Sequence, residues 1–183
     1  GRHTLLTFGR RCPIIHLIHL STAIAVLALA STISAEESDG HTTQNKQSQI
    51  TDAEVVDTIK RMFHSFSVES DDKDSFYDVV TDDFVLYEMG EIFSASEFVE
   101  FAESFNTIED DWELTDFNIS IDSQSAHAYF KNKGRFVTLT DGKKRLHRKE
   151  WLESAYIIRV NGELRVKFYF SDVVNETSED LSD

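Results

Sequence analysis

Between residues 51 and 66 the apolar positions fall at Val55, Ile59, Met62, Phe63 and Phe66, the i, i+4, i+7, i+8 and i+11 spacing that lays one stripe along a helix. Thr51 and Glu54 at its head stand at the spacing of a capping box, so the helix starts there. Asp71 and Asp72 are candidate caps for a second, shorter helix carrying Phe76, Tyr77, Val79 and Val80. The run "DDFVLYEM" that follows reads as a strand. Ser94 and Glu97 repeat the capping-box spacing and open a third helix, with Phe98, Ala102 and Phe105 on its buried side.

From Trp112 onward the pattern changes to long runs of aromatic and β-branched residues, broken by "DSQS" at 122 to 125, by Asp141-Gly142 and by Asn161-Gly162. These breaks predict four antiparallel strands over about 112–121, 125–139, 143–160 and 163–173. In the last, Leu164, Val166, Phe168 and Phe170 alternate with Arg165, Lys167, Tyr169 and Ser171, which predicts an apolar face and a polar one. Pairing across Asn161-Gly162 depends on loop length. A three-residue turn sets Leu152, Ser154, Tyr156 and Ile158 beside the apolar face; a two-residue turn sets Glu153, Ala155 and Ile157 there. The first is preferred because it keeps Glu153 and Arg159 off the core.

Residues 13 to 30 carry no formally charged side chain, follow Arg2, Arg10 and Arg11, and end in the small-residue run Ala28-Leu29-Ala30. That is the layout of a secretory signal peptide, with cleavage expected after Ala30 or Ala35; the competing reading is a retained membrane anchor. Export to the periplasm or the cell exterior follows from the first. Residues 36 to 50 are polar and unpatterned, a flexible leader, and residues 175 to 183, "NETSEDLSD", are expected to be a disordered acidic tail. The formal charge of the 183-residue chain is −15; without residues 1 to 35 it becomes −18, with fifteen Lys and Arg against 33 acids. Such a balance argues against general nucleic-acid binding. Cys12 and Pro13 are the single cysteine and proline, so a processed chain has no disulfide and depends on its apolar core.

Helix, helix, strand, helix and then four long antiparallel strands resemble the nuclear transport factor 2-like (SnoaL-like) superfamily. The resemblance runs over residues 51 to 174 and rests on "DDFVLYEMG", which looks like that family's first strand, and "ESAYIIRVNGELRVKFYFSDVV", which looks like its closing hairpin. It implies an α+β cone, three N-terminal helices packed on a strongly curved, mostly antiparallel sheet, with an apolar pocket at the open end. Members include ketosteroid isomerases, polyketide cyclases, scytalone dehydratases and limonene epoxide hydrolases, besides modules without a known reaction, so the fold does not choose the function. By this resemblance Glu88 falls where ketosteroid isomerases keep their general base, and Tyr156 is a candidate hydrogen-bond donor. Met62 stands where the oxyanion-hole tyrosine would be, which argues against steroid isomerisation. The pocket is expected to be lined by Met62, Phe66, Leu86, Phe168 and Phe170, with Arg148, Glu150 and Asp172 at its mouth. A carboxyl in such a cavity has its neutral form favoured by desolvation; on the other reading Glu88 lies on a wet strand face or pairs with an arginine.

The resulting expectation is an exported domain that binds a small apolar or amphipathic molecule, the alternative being a lyase, isomerase or hydrolase with Glu88 as base. No cofactor is expected, and His41, His64, His127 and His147 form no close metal-ligand motif. No G-x-S-x-G, Gly-rich phosphate loop or cysteine nucleophile is present beyond the leader. Eight cationic residues, Lys131, Lys133, Arg135, Lys143, Lys144, Arg145, Arg148 and Lys149, cluster in one hairpin, a basis for weak membrane contact or for docking on an acidic surface. His127, Tyr129, Trp151 and Tyr169 are assigned to the outer sheet face, where a homodimer partner is expected. Asn118 and Asn175 open glycosylation acceptor triplets, relevant only to a eukaryotic source.

Overall fold

The computed structural model of the protein describes residues 49–70, 72 and 74–182. The expected signal peptide, Cys12, nearly all of the leader and the candidate cap Asp71 lie outside the described residues. Among the described residues no helix is long and apolar enough to cross a membrane.

The first helix, α1 (Asp52–Phe66), begins where its capping box places it: the Thr51 side chain accepts from the Glu54 N–H, and the Glu54 carboxylate accepts from the Thr51 N–H at 2.8 Å. Val55, Ile59 and Met62 are buried along its inner stripe, and Ile50, expected to end the leader, is buried with them. Next come α2 (Ser75–Val79), β1 (Val80–Glu88), the short β2 (Glu91–Ser94) and α3 (Ala95–Glu103), whose Ser94–Glu97 capping box is also formed. The α2 N-cap is Asp74, which makes no side-chain capping bond. β2 has no sequence forecast. Its turn uses Met89 and Gly90 at φ +53° and +80°, and methionine is not a residue that signals a left-handed turn.

The strands β3 (Thr107–Ile121), β4 (Ser125–Thr140), β5 (Lys143–Val160) and β6 (Glu163–Asp180) complete one open, curved sheet in the order β2-β1-β6-β5-β4-β3. The β1–β6 pairing is parallel and the others antiparallel, so the sheet is mixed. Asp141-Gly142 and Asn161-Gly162 both make two-residue turns with positive φ at both positions, the geometry that matches strand twist.

Two expectations about β6 are corrected. Asn161-Gly162 closes a two-residue rather than a three-residue turn, pairing Val160 with Glu163 and Ile157 with Val166. A bulge then inserts Lys167: Ile157 faces Val166 but Tyr156 faces Phe168, and the side chains from Phe168 to Val173 change face until a second bulge at Val174 restores the earlier parity. Tyr169 is therefore buried (3% exposed), whereas Phe170 turns outward (42%). Glu153 lies inside at 4%, and Trp151, assigned to the outer face, also lies inside. Arg159 does follow the inner parity, with its guanidinium donating to the Gly162 carbonyl at 2.8 Å and facing Glu54 at 3.9 Å.

The second correction concerns the acidic tail, whose residues 175 to 180 continue β6. They pair with the basic strand beside them: Lys149 lies 3.2 Å from Glu176 and Arg148 2.7 Å from Glu179. Charge neutralisation across the pair accounts for an ordered strand where composition alone suggests a free tail.

Candidate functional site

The inner face of the sheet changes character along its length. At one end Val80, Val166, Ile157 and Ala126 fill the rows beneath α1, followed by Leu86, Tyr169, Ala155 and Ala128. The next row carries Glu88, Ser171, Glu153 and Phe130 on four adjacent strands. Beyond it come Val173, Trp151, Asn132 and Leu114, and then Glu176, Lys149, Gly134 and Trp112. Two carboxyl groups thus share one row where apolar core gives way to a polar and aromatic layer.

Glu153 is the more deeply buried of the two. The Asn132 amide donates to its Oε1 at 2.9 Å, and Asn132 is itself only 1% exposed. Burial pushes the Glu153 carboxyl up to about 7, reinforced by the Glu88 charge and opposed by the donors Asn132, Ser171 and Tyr169. Burial also raises Glu88, against the pull of the Lys149 ammonium and the Trp151 indole. The Tyr169 hydroxyl, wholly buried beside Glu153, is held protonated far above its ordinary range by burial first and by that carboxyl second. Four buried polar atoms in this cluster make no hydrogen bond of full geometry: Asn132 Oδ1 has no partner among the described residues, while Tyr169 OH and Glu153 Oε2 face each other and Trp151 Nε1 faces Glu88 without closing a good bond. Two are acceptors, one is a donor and the hydroxyl is both.

Aromatic rings wall this cluster off. Trp112 stands 5.6 Å from Trp151 and 5.4 Å from Phe63 of α1, and Phe63 lies 6.3 Å from Tyr169. The two indoles close over Gly134, where an added Cβ would fall 2.9 Å from each. At the next level His147 stacks on Phe136 and bridges the Thr138 and Ser178 hydroxyls, each at 3.0 Å. Burial, then Lys149 and Arg145, lower the His147 pKa and favour the neutral ring.

Among the described residues, two of the better-formed surface clefts are lined by neither Glu88 nor Glu153. One, about 330 Å3, runs among Lys133, Arg135, Arg148 and Glu150, whose long side chains pair with opposite charges across the strands. The other, about 500 Å3, lies between α1 and β3 and is floored by Phe63, Trp112 and Leu114. The chemistry concentrates behind the second.

The sequence-derived candidates divide accordingly. Glu88 faces the interior beside Ser171. Met62 and Leu86 are packed core, with Phe66 against them. Tyr156, Phe168 and Phe170 stand on the outer face, because the two-residue turn and the bulge reverse the parity assumed for them. Arg148 and Glu150 also lie outward, paired with Glu179 and Lys133, and Asp172 is exposed opposite Leu152. Sequence reasoning left out Glu153, Asn132, Tyr169 and Trp151. The one available signal was the lone acid in "WLESAYII", which the alternative turn length places inside. Among the described residues no three His, Cys, Asp or Glu side chains are grouped to hold a metal.

No protein-family model and no curated protein matches the sequence. Solved structures do match. A hexachlorocyclohexane dehydrochlorinase of type 2 superposes with TM-score 0.58 at 10% identity, over 71% of this chain and 88% of that one. A protein of Novosphingobium aromaticivorans provisionally assigned as a scytalone dehydratase gives 0.53 at 12% identity, covering 73% and 94%. An uncharacterised protein of Caulobacter vibrioides with a cystatin-like fold gives 0.54 at 16%, covering 67% and 89%. These neighbours have the nuclear transport factor 2-like, cystatin-like fold, and that α+β architecture is what the chain shares with them.

Proposed function

We propose that the domain binds a small, mostly apolar molecule carrying a hydrogen-bonding group, held between Phe63, Trp112 and Trp151 with its polar end against Glu153, Asn132 and Tyr169. The supporting observation is a buried cluster whose polar atoms are incompletely satisfied: Asn132 Oδ1 has no partner among the described residues, and Glu153 Oε2, Tyr169 OH and Trp151 Nε1 have only poorly aligned neighbours within the cluster. Leaving a buried donor or acceptor unpaired costs about 1–3 kcal/mol each, so a molecule that pairs several of them at once gains that much in affinity and specificity. Glu88 and Glu153 also support a second reading, in which one acts as a general base in a lyase, isomerase or hydrolase reaction. A carboxyl that titrates near 7 has the basicity that proton abstraction at neutral pH requires.

Calorimetric titration with naphthalene, 1-methylnaphthalene and 1-naphthol tests the binding reading. The hydroxylated compound is expected to bind at least tenfold more tightly, and Tyr169→Phe to narrow that gap. Equal affinity for the three, or none, would refute it.

A homodimer is part of the same reading, with corrected membership. The outer face carries Tyr129, Phe170, Tyr87 and Ile92 in one cross-strand row, and His127, Tyr156 and Phe168 in the next. Tyr129, Phe170, Tyr87 and Ile92 are each more than two-fifths exposed, with Ser154 between the first two, an aromatic-rich row suited to a second copy of the chain. Export, periplasmic or secreted, remains the reading of the N-terminal pattern.

A further inference from the structure

The polar cluster is sealed: Glu153, Asn132, Tyr169 and Trp151 are each at most 6% exposed. A ligand reaches them only if part of the wall moves. One part of that wall faces a cleft, the floor between α1 and β3. Phe63 and Trp112 are half-buried, lining that cleft and contacting Tyr169 and Trp151 on the cluster side. They come from different elements, α1 and β3, and meet at 5.4 Å. β3 is also one of the two edge strands, paired on one side only and broken by register shifts near Thr107 and near Asp116, whose φ is +56°.

One side chain spans this seam. Asp110 of β3 accepts from the Trp112 indole N–H at 3.2 Å, from the Ser67 hydroxyl at 3.0 Å and from the Val68 N–H at 3.2 Å. Its carboxylate thus fixes the rotamer of one wall ring while tying the end of α1, which carries the other, to the same strand. Hydrogen bonds to an ionised acceptor are the stronger kind, and here several converge on one group.

We propose that the cleft between α1 and β3 is the ligand's entrance, with Phe63 and Trp112 as its gate and Asp110 as the positioning residue that holds the gate shut. The inference rests on the binding reading above for its ligand, but not for the gate itself. Opening separates Phe63 from Trp112 and leaves the carboxyl cluster unchanged. Removing the latch therefore speeds entry and exit together and leaves affinity nearly as it was.

The test has two arms. In the Trp112→Phe background Trp151 is the sole tryptophan, so acrylamide quenching reports access to the cluster without any ligand. Trp112→Phe already cuts the indole bond to Asp110, so adding Asp110→Ala removes the remaining ties to Ser67 and Val68 and is expected to raise the quenching constant several-fold over Trp112→Phe alone while the melting transition stays cooperative. In the second arm, stopped-flow fluorescence with N-phenyl-1-naphthylamine compares the wild-type chain with Asp110→Ala. Association and dissociation rates are expected to rise by one common factor, roughly tenfold for a lost charge-assisted contact, with Kd unchanged within twofold.

Ser67→Ala, which removes one of the three bonds to Asp110 together with the Glu69 N–H bond to the same hydroxyl, should show the same pattern at smaller size and serves if Asp110→Ala does not fold. Unchanged quenching would overturn the gate, as would a change in Kd without a common rate factor. Quenching that rises while the probe fails to bind the wild-type chain would keep the gate and refute the binding reading.

Discussion

Replacing Glu153 by glutamine separates a buried titrating acid from an ordinary core contact. The folded protein holds the Glu153 proton up to about pH 7, against 4.5 for the unperturbed group, because burial disfavours the carboxylate. Between those values the folded state binds more protons than the unfolded one, so stability falls as pH rises; it is full below about 4.5 and the loss is complete above about 7. At 1.36 kcal/mol per unit, the shift corresponds to about 3 kcal/mol, a large share of the stability of a domain this size.

Glutamine is nearly isosteric, still accepts from the Asn132 amide through its own Oε1, and carries no charge at any pH. Glu153→Gln is therefore expected to match the wild type near pH 4.5 and to exceed it by about 3 kcal/mol at pH 8, roughly 10 °C in Tm. Urea denaturation across pH 4.5 to 8.5 measures both. The like charge on Glu88 is a smaller contributor than burial, so Glu88→Gln should leave most of the pH dependence in place. Parallel pH profiles for the wild type and Glu153→Gln would refute the reasoning, since they would mean that the carboxyl is solvated or ion-paired in solution.

Two further outcomes follow from packing and exposure. Gly134→Ala puts a methyl 2.9 Å from both indoles and should destabilise the fold by about 1–3 kcal/mol, with a shift in tryptophan emission; an unchanged denaturation midpoint would show that the two rings are not fixed over the glycine. Phe170→Glu on the exposed outer row should halve the mass found by sedimentation at micromolar concentration without lowering Tm, and a wild-type chain that sediments as a monomer would reject the dimer.

Local chemistry made much of the architecture legible. Capping boxes at Thr51 and Ser94 mark helix starts because each bond closes within four residues, and Asp141-Gly142 and Asn161-Gly162 mark hairpins because they accept positive φ. Glu88 was also recognisable, as an acid interrupting an apolar strand. What sequence left open was the facing of β6. From Leu164 to Phe170 the strand reads Leu-Arg-Val-Lys-Phe-Tyr-Phe, and after Lys167 either parity offers aromatic residues to the core. Hydrophobic alternation cannot choose between two apolar faces; cross-strand pairing with β5 and the bulge at Lys167 choose Tyr169 over Phe168 and Phe170. That one inserted residue brings Tyr169 and Ser171 beside Glu153 and sends Phe168 and Phe170 to the outer face. Likewise, the acidic end of the chain was readable as charge, but only its pairing with Arg148 and Lys149 makes it a strand. Sequence by itself determined the elements, whose stabilising contacts are local; tertiary structure decided the site, because the face a strand turns inward depends on partners far along the chain.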